Sequence, residues 1–263
     1  MFTRIPDIFL LNKQGKTPPA KAAFNLLIAA AAVILFFYFS LAKIGVSLDF
    51  HFLSEFLIRI RLGFIATLGL SAASLGLSLV LGILSAAGHS SSFLPLRFLC
   101  GMYVRFIRGT PLITQIYLFF YLVGTAWGVN NRFTAGVVIL SVFEGAYISE
   151  IIRGSLISMD ATQIEAARSV GFTRTQTLFN VILPQLAART LPALTGQFAS
   201  IIKDSSLLSI IAVTELTQTM KEISATNFKL FECYLLLGLL YFCLTFPISF
   251  ITKRLERRFR YED

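Results

Sequence analysis

Two long apolar stretches of the sequence carry charged side chains near their centres. Lys203 and Asp204 are adjacent in one of them, and Glu144 lies in another. If these stretches cross a membrane, each charge costs about 2.5–3.5 kcal/mol at the centre of the bilayer. Such residues normally face a partner or a cavity, so they are the first candidates for a functional site.

A helix through Lys203 and Asp204 would place another polar group beside them. Gln197 and Asp204 are seven residues apart, close to two helical turns, and therefore share a face. Lys203 is rotated from Asp204 by about 100° and would lie at the margin of that face. Two simpler arrangements stay open. One is a structural ion pair between Lys203 and Glu144, and the other is a shifted span that brings Lys203 and Asp204 to the outer interface.

The composition indicates that most of the chain lies in a lipid bilayer. Of the 263 residues, 56% are hydrophobic and 14% are charged, against roughly 25% charged in ordinary soluble domains. The mean hydropathy is +0.74. The cysteines and histidines have no metal-ligand spacing. We interpret the cysteines as small buried hydrophobic residues and the histidines as lone residues without a neighbouring ligand set, and we expect no metal, disulfide or cofactor. These residues are Cys100, Cys233, Cys243, His51 and His89.

Six stretches of about 20 mostly apolar residues predict six transmembrane helices in an all-α membrane protein. Their approximate bounds are Ala22 to Ala42, Leu62 to Ala87, Met102 to Val123, Thr134 to Ile152, Pro192 to Val213 and Cys233 to Thr252. Of the 23 Lys and Arg residues, 16 fall on the side of the two termini and six on the opposite side. The positive-inside rule then places both termini in the cytoplasm, so the net charge of +9 reflects topology and not nucleic-acid binding.

The second stretch is rich in small residues, which let helices approach closely in lipid, where no hydrophobic effect drives them together. These residues are Gly63, Gly69, Ser71, Ala72, Ala73, Ser74, Gly76, Ser78 and Gly82. The pattern predicts a closely packed helical bundle.

The connection between residues 158 and 191, on the predicted cytoplasmic side, has the signals of two short helices. Thr162 with Glu165 fits a capping box at the start of the first helix. Glu165 would then lie in the first turn, where its charge complements the helix dipole. Gly171 occupies the position of a left-handed helix stop, so the first helix is expected to end just before it.

The second helix of this connection begins at another capping box, formed by Thr173 with Gln176, and is expected to end near Pro184. The first helix offers the small residues Ala166 and Ala167 beside this second helix. Such a unit fits either a groove of a partner protein or the membrane surface. The apolar residues expected on its exposed side are Leu178, Phe179, Val181 and Ile182.

Several segments occur together in a recognisable order. The first, second and fourth are Ile107 to Leu112, Ala146 to Gly154 and Ile202 to Ser209. The third consists of Glu165-Ala166-Ala167, then Gly171, then Ile182 to Gln185. The third of these looks like the EAA loop of bacterial ABC-importer permeases, and its surroundings resemble the polar amino acid branch of that family. The resemblance covers roughly Gly63 to Thr252.

The resemblance implies a type I ABC permease core whose coupling helices, at 162–184, insert into ATP-hydrolysing partner subunits. The positions it marks for coupling are Glu165, Ala166, Ala167, Gly171 and Pro184. It also implies two ABC ATPase subunits, an extracytoplasmic solute-binding protein, and a second permease copy in a homodimer or heterodimer. The chain would be a transport subunit of the bacterial inner membrane and not an enzyme.

Permeases of this branch carry polar amino acids, and the buried charges are consistent with that expectation. Lys203 and Asp204 match the carboxylate and ammonium groups of a free amino acid, which leaves Gln197 or Glu144 for its side chain. Two carboxylates against one ammonium leave one net negative charge at the site. This mildly favours a cationic substrate such as arginine, lysine or histidine.

The chain departs from the branch by an additional first span. We therefore assign residues 1–55 to a cytoplasmic leader with an extra helix, most simply a peripheral anchor. Residues 56–263 form the permease domain, with coupling helices around 160–185. An enzyme would need clustered catalytic groups, and the sequence has neither HExxH nor GxSxG. A channel, or a transporter not coupled to ATP, stays open as the alternative.

Overall fold

The structure, a computed structural model, describes residues 18–259, with side chains up to Leu255. Leader residues Arg4, Lys13 and Lys16, and Arg260 in the tail, lie outside the described residues. The described part contains helices and turns but no strand. The helices are α1 Pro19–Ile44, α2 Phe52–His89, α3 Leu94–Gly109, α4 Leu112–Tyr117, α5 Arg132–Ile157, α6 Ala161–Ser169, α7 Arg174–Thr177, α8 Leu183–Asp204, α9 Leu216–Asn227 and α10 Leu230–Phe259.

The chain separates into one unit that ends at Phe50 and another that begins at His51. The first unit contains α1, which has 26 residues and a strongly apolar sequence. At 1.5 Å per residue it is about 39 Å long, enough to cross a bilayer. It ends at Gly45, whose φ of 75° is the left-handed conformation of a helix stop.

The second unit is built around the contact between α2 and α5, as the small residues of α2 predict. A Cβ atom added to Gly82 would lie 2.5 Å from Ile148 Cγ2, and one on Gly145 would lie 3.0 Å from Leu81 Cβ. Only glycine therefore allows this approach at these two positions. By contrast, an added Cβ on Gly76 would meet nothing within 4 Å.

Hydroxyl groups add polar contacts along the same interface. Ser141 Oγ donates to the Ser74 carbonyl at 3.1 Å, and Ser149 Oγ donates to Ser85 Oγ at 3.1 Å. These side chains satisfy their hydrogen-bonding needs inside the bundle, where lipid offers no alternative partner. The α2–α5 pair thus forms a rigid frame for the polar groups on α5.

The third predicted span, Met102 to Val123, is wrong as a continuous helix. The chain bends by 114° between α3 and the helical segment Leu112–Gly124, which is α4 followed by a π-helix. Thr110 is extended because it precedes Pro111, and Pro111 has no N–H to continue the helix. Gln115 Nε2 donates to the carbonyl groups of Ile107 at 2.7 Å and Thr110 at 3.2 Å, so two carbonyl groups at the break have a donor.

The fifth predicted span, Pro192 to Val213, also differs. Helix α8 starts earlier and ends at Asp204, and a 3-10 helix follows from Ser205 to Ile211. Among the described residues, four helices are long and apolar enough to span a membrane, or five if the bent pair counts as one span. The prediction of six spans is therefore not confirmed.

Helix α9 packs against the beginning of α2 and against α10. Its start is capped by Glu215, which is fully buried and accepts hydrogen bonds from the backbone of Thr217 and Gln218 and from Tyr241 Oη. Of the three cysteines predicted to be buried, Cys233 is buried, Cys100 is only half-buried, and the prediction is wrong for Cys243, which is exposed on α10.

Candidate functional site

The polar cluster predicted in the apolar bundle is centred on Glu144. This residue lies in the middle of α5 and is 0% exposed. Gln197, two turns before the end of α8, donates a hydrogen bond through Nε2 to Glu144 Oε2. The cluster therefore joins α5 to α8 at the centre of the second unit.

Asp204 completes the cluster from the last residue of α8. Its carboxyl group interacts with that of Glu144, as expected if Gln197 and Asp204 share one face of the helix. Gln197 uses only one oxygen of the Glu144 carboxyl group. The other oxygen, Oε1, is buried and accepts no hydrogen bond in the described part of the chain. The cluster thus holds acceptor capacity that a donor group could use.

Lys203 occupies a different position from the other three residues. Its side chain is exposed and acts on Asp204 only through its charge. Between residues 18 and 255 the structure has no salt bridge that joins Lys203 to Glu144. Glu144 therefore contacts Gln197 and Asp204, while Lys203 lies at the margin of the cluster.

This arrangement can offer an ammonium or guanidinium group two carboxyl groups and one amide in an apolar setting. Charge-assisted hydrogen bonds of this kind are stronger than neutral ones and are strengthened further by low dielectric. Because Glu144 has no exposed surface, a solute can reach it only after the surrounding side chains or helices move. The described conformation is thus closed at this point.

The connection around 160–185 forms the expected helix, turn and helix, but the first helix starts earlier than predicted. Its N-cap is Asp160, whose side chain accepts from the Thr162 backbone at 3.0 Å. The Thr162–Glu165 capping box is therefore wrong, and Glu165 lies beyond the first turn, exposed. The Thr162 hydrogen bonds hold the pKa of the Asp160 carboxyl below its ordinary value.

The turn and the second capping box are confirmed. Gly171 has a φ of 84°, in the left-handed region where a side chain is strained. Thr173 Oγ1 accepts from the Gln176 backbone at 3.3 Å, and Gln176 Oε1 accepts from the Thr173 backbone at 2.8 Å. Local sequence signals are thus sufficient for this part of the fold.

The second helix does not end near Pro184, which corrects that prediction. Helix α7 continues through a π-helical turn, Leu178–Ile182, directly into α8, where Pro184 occupies the first turn. The π-helical turn just before Pro184 is where this continuous helix accommodates a residue that lacks a backbone N–H. The second helix of the connection is therefore an N-terminal extension of α8 and not a separate short helix.

The exposed side of this segment is apolar, as predicted for Leu178 and Phe179, whereas Val181 and Ile182 are half-buried. Ala166 is exposed and Ala167 is buried. Val170, 73% exposed, extends the same apolar surface.

Sequence reasoning missed two sets of polar residues. Arg189 donates to the Ser158 carbonyl at 2.6 Å and so ties α8 to the end of α5. Glu150 accepts from Arg153 at 2.6 Å and from Arg108 at 2.9 Å. Arg153 follows Glu150 by three residues, which is a helical pairing signal, but nothing in the sequence indicates the contact across 42 residues to Arg108.

The long apolar helices define a helical membrane protein, and comparison with known proteins gives its family. Residues 78–261 match the family model described as binding-protein-dependent transport system inner membrane component. The match covers well over half of the chain. The chain belongs to this family and is the permease component of an ABC importer.

Two relatives from Bacillus subtilis illustrate the similarity. The probable glutamine ABC transporter permease protein GlnM is 36% identical over 201 residues, 75% of this chain and 93% of the relative. The L-cystine transport system permease protein TcyB is 37% identical over 197 residues, 74% of this chain and 84% of the relative.

A solved structure confirms the type I permease fold. The crystal structure of an amino acid ABC transporter with histidines aligns with a TM-score of 0.75 at 33% identity. The alignment covers 81% of this chain and 100% of that chain.

Proposed function

We propose that this permease carries polar L-amino acids into the cell, delivered by an extracytoplasmic solute-binding protein and driven by ATP hydrolysis on separate subunits. The observation that carries the proposal is the contact of Glu144, which is fully buried in the helical bundle, with Gln197 and Asp204 of α8. Buried carboxyl groups are costly in a bilayer, and a substrate ammonium group would offset that cost. Relatives named for glutamine and cystine support the substrate class.

Within this class, the two apposed carboxyl groups favour a cationic substrate, because a positive charge beside them would let both ionise. Glu144 and Asp204 are closely apposed, whereas Lys203 is exposed at the margin. The substrate ammonium group would lie near Asp204, its carboxylate would face Lys203, and Glu144 with Gln197 would contact a basic side chain. Arginine, lysine and histidine fit this placement better than glutamine does.

The segment from Thr162 to Pro184 is the proposed docking element for the ATPase subunits. Its exposed apolar residues and the fixed turn at Gly171 fit insertion into a groove of a partner. Because α7 is continuous with α8, movement of the docked segment would act directly on the helix that carries Gln197 and Asp204. Rigid-body movement of α8 away from α5 would then open the cluster.

A single chain supplies one helix set, so we infer a second permease copy, identical or related, across the pathway. The excess of Lys and Arg on the side of the coupling segment supports an inner-membrane orientation with both termini in the cytoplasm. In this orientation the ATPases meet the coupling segment and the solute-binding protein meets the opposite face.

The test is uptake into proteoliposomes that contain the permease, its ATPase and its solute-binding protein. Labelled arginine, histidine, glutamine and cystine are compared with leucine, with and without ATP. We expect uptake of a polar amino acid that requires ATP and the binding protein, with the cationic substrates preferred. Flux that persists without ATP would favour a channel, and uptake of leucine alone would contradict the substrate class.

A further inference from the structure

A basic cavity of about 250 Å³ lies away from the polar cluster, where α2, α3 and α5 meet. Its polar lining comes from His89 at the end of α2, from Arg105 and Arg108 on α3, and from Glu150 and Arg153 on α5. Arg153 is four residues before the end of α5. The cavity is therefore at the end of the bundle from which the coupling segment leaves.

The charges of this cavity are not balanced. Glu150 is its only carboxylate and is shared by Arg108 and Arg153. The guanidinium group of Arg105 is exposed and has no hydrogen-bond or salt-bridge partner among the described residues. The cavity thus has three guanidinium groups and one carboxylate. This excess of positive charge favours the binding of an anion.

His89 adds an unused polar atom. Its Nδ1 is buried and lacks a hydrogen-bond partner in the part of the chain that the structure describes. A buried polar atom without a partner has a free-energy cost that a bound hydrogen-bonding group would remove. Because His89 also lines the cavity, this unpartnered atom is a second observation that a polar ligand there would account for.

An apolar stripe on α3 runs beside the basic residues. Phe98, Met102 and Phe106 are spaced by four residues and are 65%, 66% and 53% exposed. They form one face of the helix, adjacent to the face of Arg105. A ligand that fills the cavity with an anionic group could therefore lay an apolar part along this stripe.

We propose that this cavity binds the phosphate headgroup of an anionic membrane lipid, with its acyl chains along Phe98, Met102 and Phe106. Basic cavities between transmembrane helices near the cytoplasmic face are suited to such headgroups. The juxtaposition of excess positive charge and an exposed apolar stripe separates this ligand from a soluble phosphate, which would use only the charges. The lipid would bridge α3 and α5 beside the coupling segment.

The test is lipid retention by the purified full-length chain, measured by native mass spectrometry after incubation with phosphatidylglycerol or phosphatidylcholine. The variant is Arg105→Gln. The matched control is Arg97→Gln, which removes an exposed arginine from the same helix outside the cavity. We expect the preference for phosphatidylglycerol over phosphatidylcholine to fall about fivefold in Arg105→Gln, because one basic residue contributes about 1 kcal/mol to binding of an anionic lipid. The preference should be unchanged in Arg97→Gln.

Two further measurements complete the test. Thermal unfolding of both variants in detergent checks that they remain folded. Incubation with inorganic phosphate alone separates the two sources of the anion, and we expect it to leave the bound phosphatidylglycerol in place. Equal loss in the two variants, no preference for the anionic lipid, or displacement of the lipid by phosphate would each overturn the proposal.

Discussion

The frame formed by α2 and α5 and the coupling segment at 160–185 are stabilised in opposite ways. In the frame, Gly82 and Gly145 allow contact between two long helices, and Glu144 is completely buried. In the coupling segment, Asp160, Thr173 and Gly171 fix short helices by local caps and a turn, while apolar side chains remain exposed. Long-range packing thus fixes the first region, and nearby residues in the chain fix the second.

This difference indicates where substitutions should disturb the fold and where they should affect only function. A larger residue in the frame has no room, so the fold must change. In the coupling segment the surface is open, so a substitution changes what the surface can bind. The polar cluster has one member in each region. Glu144 belongs to the frame, whereas Gln197 and Asp204 are on α8, the helix that continues from the coupling segment. Substitutions in the cluster can therefore affect both folding and function.

The largest effect is expected for Gly82→Ala. The added Cβ would lie 2.5 Å from Ile148 Cγ2 and 3.1 Å from the Gly145 carbonyl, so α2 and α5 must separate. Overpacking of this kind costs about 1–3 kcal/mol. We expect a lower unfolding temperature in detergent and less protein in the membrane. Gly76→Ala on the same helix, where nothing lies within 4 Å, is the control and should be neutral.

The second prediction concerns the turn of the coupling segment. Gly171→Leu forces a side chain into the left-handed region at a cost of about 1–2 kcal/mol and should misplace α7. We expect the protein to reach the membrane at the normal level but to lose co-purification with the ATPase. Gly171→Asn, which tolerates this conformation better, should retain most of the binding. Unchanged ATPase binding by Gly171→Leu would contradict the role of this turn.

A smaller effect is expected from Arg189→Gln, which removes the contact from α8 to the Ser158 carbonyl. The contact is partly exposed, so the stability change should be about 1 kcal/mol or less. We expect faster amide exchange at the end of α5 and a lower ratio of substrate transported to ATP hydrolysed. Arg97→Gln, which removes an exposed arginine of α3 outside the coupling segment, should leave both quantities unchanged.

The smallest effect is expected from Asp160→Ala, which removes the N-cap of α6. Amide exchange in α6 should accelerate, while Asp160→Ser, which keeps an acceptor oxygen, should resemble the wild type. Because the folded-state pKa of Asp160 is lowered, the cap stabilises α6 at neutral pH. This contribution should be lost as the pH falls through the lowered pKa. Protection factors in α6, which correct for the intrinsic pH dependence of exchange, that do not fall in this range would argue against the cap.

The same contrast explains how much could be predicted from the sequence. Gly171 and the Thr173–Gln176 capping box were predictable because each signal lies within a few residues of its effect. The shared face of Gln197 and Asp204 follows from helical spacing alone. The family could also be inferred, because its motifs occur in order along the chain.

The errors come from features that local patterns do not determine. Apolar residues on both sides of Pro111 looked like one span, and only the side chain of Gln115 shows how a sharp break is satisfied. Pro184 looked like a helix end, but a π-helical turn just before it lets α7 continue into α8. The contact of Arg108 with Glu150 depends on how α3 packs on α5 and has no signal in the sequence.

The most direct test of the account is amino acid uptake by Asp204→Asn in the assembled transporter, measured together with ATPase co-purification. Asparagine keeps the size of the side chain but removes the charge proposed to bind the substrate ammonium group. We predict that uptake falls at least about tenfold, equivalent to about 1.4 kcal/mol, while membrane level and ATPase binding stay normal. Wild-type uptake by this variant would remove Asp204 from the substrate site and contradict the account.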